Sequence, residues 1–321
     1  MPARTVTPSE ELLAVRAAEL YYEENKTQDE IGAILRITRW KVGRLLQAAR
    51  ESGIIRIDIV HPRARKLSLE HELTDAYGLL ASIVVPSESE GSVTERIATA
   101  GADYLVSMRP RVKRLGVSWG KTLHHLARSL PVDWSTPLEV VQVNGGVSRS
   151  QMPGQASETA TMIATKSGGS VTLMPTPAIL EKSETRKLIE SDRAVRGILA
   201  QAQSADTYLF SAGPASTVSI HLQSGYLDEA DITRLQGLGA VGDVIGRYIT
   251  ASGEIADPEL DDRTLGLSLA DLRQANRRIA VVGGLDKRPV AKALVDNQIA
   301  NILVTDEHTA RFLLSEHQKK A

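Results

Sequence analysis

Two groups of residues in this chain could do chemistry. One is a set of cations on a single short helix; the other is a set of glycine-, hydroxyl- and charge-bearing loops further on. From Arg36 to Arg50 there are five cations (Arg36, Arg39, Lys41, Arg44 and Arg50) and no acid. Within that stretch Val42, Leu45, Leu46 and Ala49 recur at i, i+3, i+4 and i+7, so a helix that buries them turns Arg39, Lys41 and Arg44 outward. A solvent-facing cationic helix fits the major groove of a duplex and neutralises phosphates on its flanks. Thr38, Arg39, Trp40, Lys41 and Arg44 are then expected to face DNA, with Thr27 and Gln28 reaching phosphates from the preceding helix. Arg39 or Lys41 could read guanine edges.

The second group lies where apolar runs end. Gly116-Val117-Ser118-Trp119-Gly120-Lys121-Thr122 leads from an apolar run into a helical pattern carrying Leu123, Leu126 and Ala127. Two hydroxyls, a glycine and the free N–H groups of a helix start make a cradle for a phosphate or polyol. An ordinary turn with a capping serine reads equally well, and the spacing is not that of a Walker loop. Residues 239–248 place Asp243 and Arg247 in a glycine-rich segment, 282–287 offers Lys287 at a helix start, and 304–307 supplies Thr305, Asp306 and Glu307. Asp243 can accept from sugar hydroxyls and Lys287 can pair with an anion. Helix capping is the plainer role for Thr305, Asp306 and Glu307, Arg247 equally suits a structural ion pair, and 261–263 suits a contact between domains or subunits.

These residues need elements to position them. Ile31, Ile34 and Leu35 mark the inner face of a helix beginning at Gln28, with Thr27 and Glu30 spaced as a capping box. Thr38 begins the second helix. A preceding helix carries Leu13, Ala17, Leu20 and Tyr21. Beyond Ser52-Gly53, Ile55, Ile57 and Ile59 alternate with polar residues, the pattern of a strand or wing. The sum is a winged helix-turn-helix over residues 1–62, with Arg36 standing at the turn where glycine is usual. A linking helix with Leu69, Leu73, Ala76 and Tyr77 occupies 63–78. From 79 to 321, apolar runs at 81–85, 114–117, 138–143, 170–174, 207–210, 279–282 and 301–304 alternate with helical stretches at 93–107, 121–130, 155–166, 184–203, 288–297 and 307–315. That alternation predicts an α/β domain with a doubly wound, mainly parallel sheet, whose ligands bind beyond the carboxyl ends of its strands.

Composition agrees. The net charge of −1 is unevenly spread: residues 1–66 carry 12 Lys and Arg against 9 Asp and Glu, and the remainder 26 against 30. A mildly basic head on a mildly acidic body suits a DNA reader joined to a small-molecule domain. The chain has no cysteine, so thiolate metal sites, disulfides and a cysteine nucleophile are excluded. No apolar run reaches the roughly 20 residues of a membrane span, and the expectation is a cytoplasmic protein that does not engage membranes, with no cofactor and no metal site.

The chain resembles the SorC-type sugar-responsive bacterial transcriptional regulators, the DeoR-like sugar-binding group. In the head the likeness rests on 17–22, 28–31, Thr38-Arg39, Val42, 44–46 and 49–55. In the body it rests on 116–122, 239–243, 260–263, Gly283-Gly284 with Lys287, and 303–307. The resemblance implies a winged helix-turn-helix fused to an effector domain related to sugar-phosphate isomerases. It also implies homodimers or homotetramers on operator DNA, controlled by a carbohydrate or sugar phosphate. By position, Gly116, Ser118, Trp119, Gly120 and Thr122 match the family's phosphate-proximal loop, Asp243 its sugar-contacting acid, and Lys287 its anion-binding lysine. Trp40 and Gly43 depart from the small and hydroxylated residues common in the recognition helix, so the operator sequence should differ. Residues 210–214 lack the Gly-Ile-Gly type of ending. The alternative is a sugar-phosphate isomerase-like enzyme, with Asp243 as general base and Lys287 as anchor; no histidine falls in the loops singled out, which argues against catalysis.

Overall fold

The computed structural model describes residues 8–55, 65–87, 92–146, 155–216 and 219–319. The chain divides into two units, Met1–Val60 and His61–Ala321.

The first unit contains α1 (Pro8–Tyr22), α2 (Gln28–Leu35) and α3 (Arg39–Glu51). Their shared core is Ala14, Ala17, Ala18, Leu20, Ile31, Val42, Leu45, Leu46 and Ala49. The Thr27–Glu30 capping box starts α2, and Thr38 Oγ1 accepts from Lys41 N–H to start α3. Arg36 closes α2 in the left-handed conformation, φ 54° and ψ 44°, which lets the chain reverse into α3. Ile34 is not part of the inner face, being 51% exposed. The inner face of α2 runs through buried Ile31 and Gly32 and partly buried Leu35, because Gly32 lies against the turn. That leaves Ile34 on the outer margin. The alternating segment expected to form the wing continues into 56–64, outside the described residues.

The second unit is built on a seven-stranded parallel sheet. In chain order its elements are α4 (Leu67–Tyr77), β1 (Ala81–Val85), α5 (Val93–Ser107), β2 (Arg114–Val117), α6 (Lys121–Ser129), β3 (Glu139–Gln142), α7 (Gln155–Lys166), β4 (Ser170–Thr172), α8 (Ser183–Ser191), α9 (Arg193–Gln203), β5 (Thr207–Phe210), β6 (Ala212–Pro214), α10 (Ile220–Gln223), α11 (Glu229–Gly237), β7 (Ala240–Val244), β8 (Arg247–Thr250), α12 (Pro258–Arg263), α13 (Leu269–Gln274), β9 (Arg277–Val281), α14 (Arg288–Asp296), β10 (Ile302–Asp306) and α15 (Glu307–Gln318). The sheet order is β1-β10-β9-β5-β2-β3-β4. Successive side chains leave a strand on opposite faces, and the two cores follow this period. Val84, Tyr208, Phe210, Ala280 and Leu303 enter one cluster, which also contains Leu69, Leu73 and Tyr77 of α4. Ile83, Val85, Leu115, Leu209, Ile279 and Val304 enter the other, beneath α5, α6 and α7.

Two regions differ from the sequence reading. The expected helix over 184–203 is two helices, because Asp192 adopts extended geometry and caps α9 by accepting from Ala194 and Val195 N–H. The glycine-rich stretch 239–248 is not a loop but a β-hairpin, β7–β8, joined to β6 in a three-stranded antiparallel sheet. Its turn, Ile245-Gly246, has φ 49° and 86°, the left-handed pair that matches the twist of two strands.

Candidate effector cavity and cationic helix

The carboxyl ends of β2, β5 and β9, with the segment after β3, converge on a cavity of about 590 Å³, within the range of small-ligand sites. Six of the seven residues expected to bind the effector line it: Ser118, Trp119, Gly120, Thr122, Asp243 and Lys287. The seventh does not. Gly116 sits inside β2, where a Cβ would lie 2.6 Å from the Tyr208 ring, so its role is to let β5 pack close.

The helix start at this cavity is open. Gly120 is the N-cap of α6 and no side chain caps it, so the capping-serine reading of Ser118 is set aside. The first-turn N–H groups and the positive end of the helix dipole therefore face the cavity beside Lys121. On the opposite loop, Asp306 organises the approach to Lys287. Its carboxylate accepts from Gly284 N–H at 2.8 Å and from Thr309 N–H at 3.0 Å, and a Cβ at Gly283 would collide with it. Burial alone would raise the Asp306 carboxyl, but the hydrogen bonds from Gly284 and Thr309 hold it below the usual range. Asp306 and Glu307 are thus structural: Asp306 caps α15, and Glu307 pairs with Lys66 and Arg311, while Thr305 is buried at the end of β10. Burial pushes the Lys287 ammonium down; Asp243 opposes this and Lys121 adds to it.

Asp243 stands in β7 opposite Gly213, and only a residue without a side chain fits there, since a Cβ would meet Asp243 Oδ1 at 2.2 Å. Its Oδ2 accepts from Gly246 N–H at 3.2 Å. Arg247, one residue beyond the turn, is buried away from the cavity. It pairs with Asp261 and donates to the carbonyls of Thr264, Gly266 and Leu267. Asp262 pairs with Arg186, so this part of 261–263 forms contacts within the unit rather than between domains.

The sequence reading missed several lining residues: Asn144, Ser211, His125 and His221. No histidine lies in the loops singled out, yet two reach the cavity from helices. His125 lies one turn into α6, and His221 enters from α10, far along the chain. A lone polar residue after an apolar run was the available signal for Asn144 and Ser211; for His221 there was none.

In the first unit, α3 presents Arg39, Trp40 and Arg44 exposed, with Lys41 partly covered. Trp40 is 86% exposed. Arg39 reaches Asp29 at 3.7 Å in an open ion pair, and Arg50 donates to the Tyr22 hydroxyl. Thr27 is exposed with its hydroxyl turned to Glu30, and Gln28 is half-buried.

A helical head with a cationic face and an α/β unit with a strand-end cavity define the class of ligand-responsive regulators. Residues 61–315 match the Sugar-bind family, a sugar-binding domain. The chain is 32% identical over 306 residues to the deoxyribonucleoside regulator of Bacillus subtilis (strain 168), covering 95% of this chain and 97% of that protein. It is 30% identical over 314 residues to the transcriptional regulator LsrR of Enterobacter sp. (strain 638), covering 96% and 94%. The full-length sorbitol operon regulator SorC from Klebsiella pneumoniae superposes with a TM-score of 0.70 at 26% identity, over 95% of this chain and 99% of that one. The chain belongs to the sugar-binding family of SorC- and DeoR-type transcriptional regulators. Among the described residues no helix is long and apolar enough to cross a membrane.

Proposed function

We propose that the protein is a DNA-binding regulator of carbohydrate-related genes, whose operator affinity is set by a sugar, polyol or sugar phosphate held in the strand-end cavity. The observation that carries this reading is the cavity's composition. An uncapped helix start with Lys121 and Lys287 suits an anionic group, while Asp243 and neighbouring hydroxyl and amide groups suit a polyol. The head reads DNA through Thr38, Arg39, Trp40, Lys41 and Arg44, with Thr27 and Gln28 at phosphates. Residues 1–62 act as a winged unit and 63–78 as the link to the effector domain. The protein works as a homodimer or homotetramer, and acts by binding rather than turnover.

Effector control needs a differential affinity for two arrangements of the subunits. The test is paired. Arg44→Ala is expected to weaken operator retention and to lower the slope of log affinity against log salt by about one unit. Lys287→Ala is expected to leave DNA binding intact and abolish the response to the effector. A normal response in Lys287→Ala removes that residue from the site; unchanged affinity and salt dependence in Arg44→Ala removes α3 from the interface.

A further inference from the structure

Three polar atoms on the cavity wall have no hydrogen-bond partner among the described residues: His221 Nε2, Asn144 Oδ1 and Ser211 Oγ. His221 and Asn144 are 1% and 2% exposed, so leaving these atoms unpaired carries a desolvation cost that a bound group would remove. The two side chains flank one glycine: a Cβ on Gly246 would lie 3.8 Å from His221 Nε2 and 3.9 Å from Asn144 Nδ2. The histidine is held by its other nitrogen, with Nδ1 3.3 Å from the Tyr248 hydroxyl, which is 2.9 Å from Ser219 Oγ. Ser219 Oγ in turn accepts from His221 N–H.

The direction of this chain follows from counting protons. Burial, with Asp243 adding, raises the Tyr248 pKa, so the phenol keeps its proton. Ser219 already accepts from the backbone, and its own proton needs an acceptor, which the Tyr248 oxygen supplies. The tyrosine proton then points at His221 Nδ1, making that nitrogen the acceptor and leaving the ring hydrogen on Nε2. Reversing the chain would strand the buried serine proton. Nε2–H is therefore a donor and Asn144 Oδ1 an acceptor, both facing the cavity.

We infer that His221 Nε2–H and Asn144 Oδ1 are a donor–acceptor pair that recognises one hydroxyl group of the effector, with the Ser219–Tyr248 relay fixing the histidine tautomer. The inference rests on the effector reading above and adds residues to it. A hydroxyl both donates and accepts, so it satisfies both partners at once, whereas an ionised oxygen, such as those of sulfate, gives Asn144 Oδ1 no proton. An analogue lacking that hydroxyl leaves two buried groups unpaired and binds about 10- to 100-fold more weakly.

The experiment uses full-length protein with ¹⁵N-labelled histidine. The probes are sorbitol 6-phosphate, glucose 6-phosphate, ribose 5-phosphate and sulfate, followed by calorimetry and by histidine long-range NMR. In the free protein His221 is expected as the Nε2–H tautomer, and Tyr248→Phe is expected to release it to a mixture. A sugar phosphate that binds should shift the Nε2 resonance, and sulfate should not. His221→Leu should weaken that sugar phosphate about tenfold or more, while His221→Gln, whose amide N–H reaches the same place, restores most of the affinity. An Nδ1–H tautomer in the free protein overturns the inference whether or not His221→Leu folds. So does a sugar phosphate that binds His221→Leu as tightly as the parent. If none of the four probes binds, the effector reading itself fails, an outcome distinct from binding that ignores His221.

Discussion

Lys287 and Arg36 show how a single residue's setting becomes a measurable property. Lys287 is less basic than a free lysine because burial disfavours its charge. An anion that pairs with it favours the charged form, so binding takes up a proton. Affinity for sulfate, whose charge is constant over this range, should fall as pH rises through the free-protein pKa, which lies below the ordinary 10.5. Calorimetry in Lys287→Met should show that dependence gone. Arg36 occupies left-handed space that costs a residue with a side chain roughly 1–2 kcal/mol relative to glycine. Arg36→Gly should therefore raise the melting temperature of the head. A melting temperature that drops would mean the arginine side chain contributes more than its backbone costs.

At the scale of elements, the Asp306 junction joins the end of β10, the start of α15 and the Gly283-Gly284 loop through one carboxylate. Its folded pKa is depressed, so its contribution to stability is present above the unfolded value of 3.8 and is lost as pH falls through the folded value. Asp306→Ala should cost about 1–3 kcal/mol by chemical denaturation near neutral pH, and the deficit should shrink in acid. The parallel strands were legible because most are short, largely apolar runs, and Asp243 and Lys287 were legible as charges beside such runs. The hairpin was not. Its glycines looked like loop, although Gly213 and Gly242 are there so that β6 and β7 can approach closely around Asp243 and α14. Asn144 and Ser211 left only the faint signal of a polar residue after an apolar run and His221 none, since what marks all three is a missing partner, a property of the assembled fold. The break at Asp192 was hidden because a single aspartate can sit on a helix or start one.

For the whole molecule, the two units are coupled through binding energies, and linkage is reciprocal. If an effector weakens operator binding tenfold, the operator complex must bind that effector tenfold less tightly, about 1.4 kcal/mol in each direction. Titrating effector into free and operator-bound protein checks this; unequal factors would mean that a third species, such as a change in oligomer order, takes part. The charge balance is basic over residues 1–66 and acidic over the remainder, so salt should act on operator affinity far more than on binding of an uncharged sugar.

The placement of the three tryptophans has a practical consequence. Trp40 stands in open solvent on α3, Trp119 forms a wall of the cavity, and Trp134 is sealed in the apolar core. Intrinsic fluorescence therefore carries two separable signals over a constant background. Trp40→Phe should silence the quenching caused by duplex, Trp119→Phe the spectral change caused by a metabolite, and each single variant leaves the other optical channel readable in the unlabelled protein.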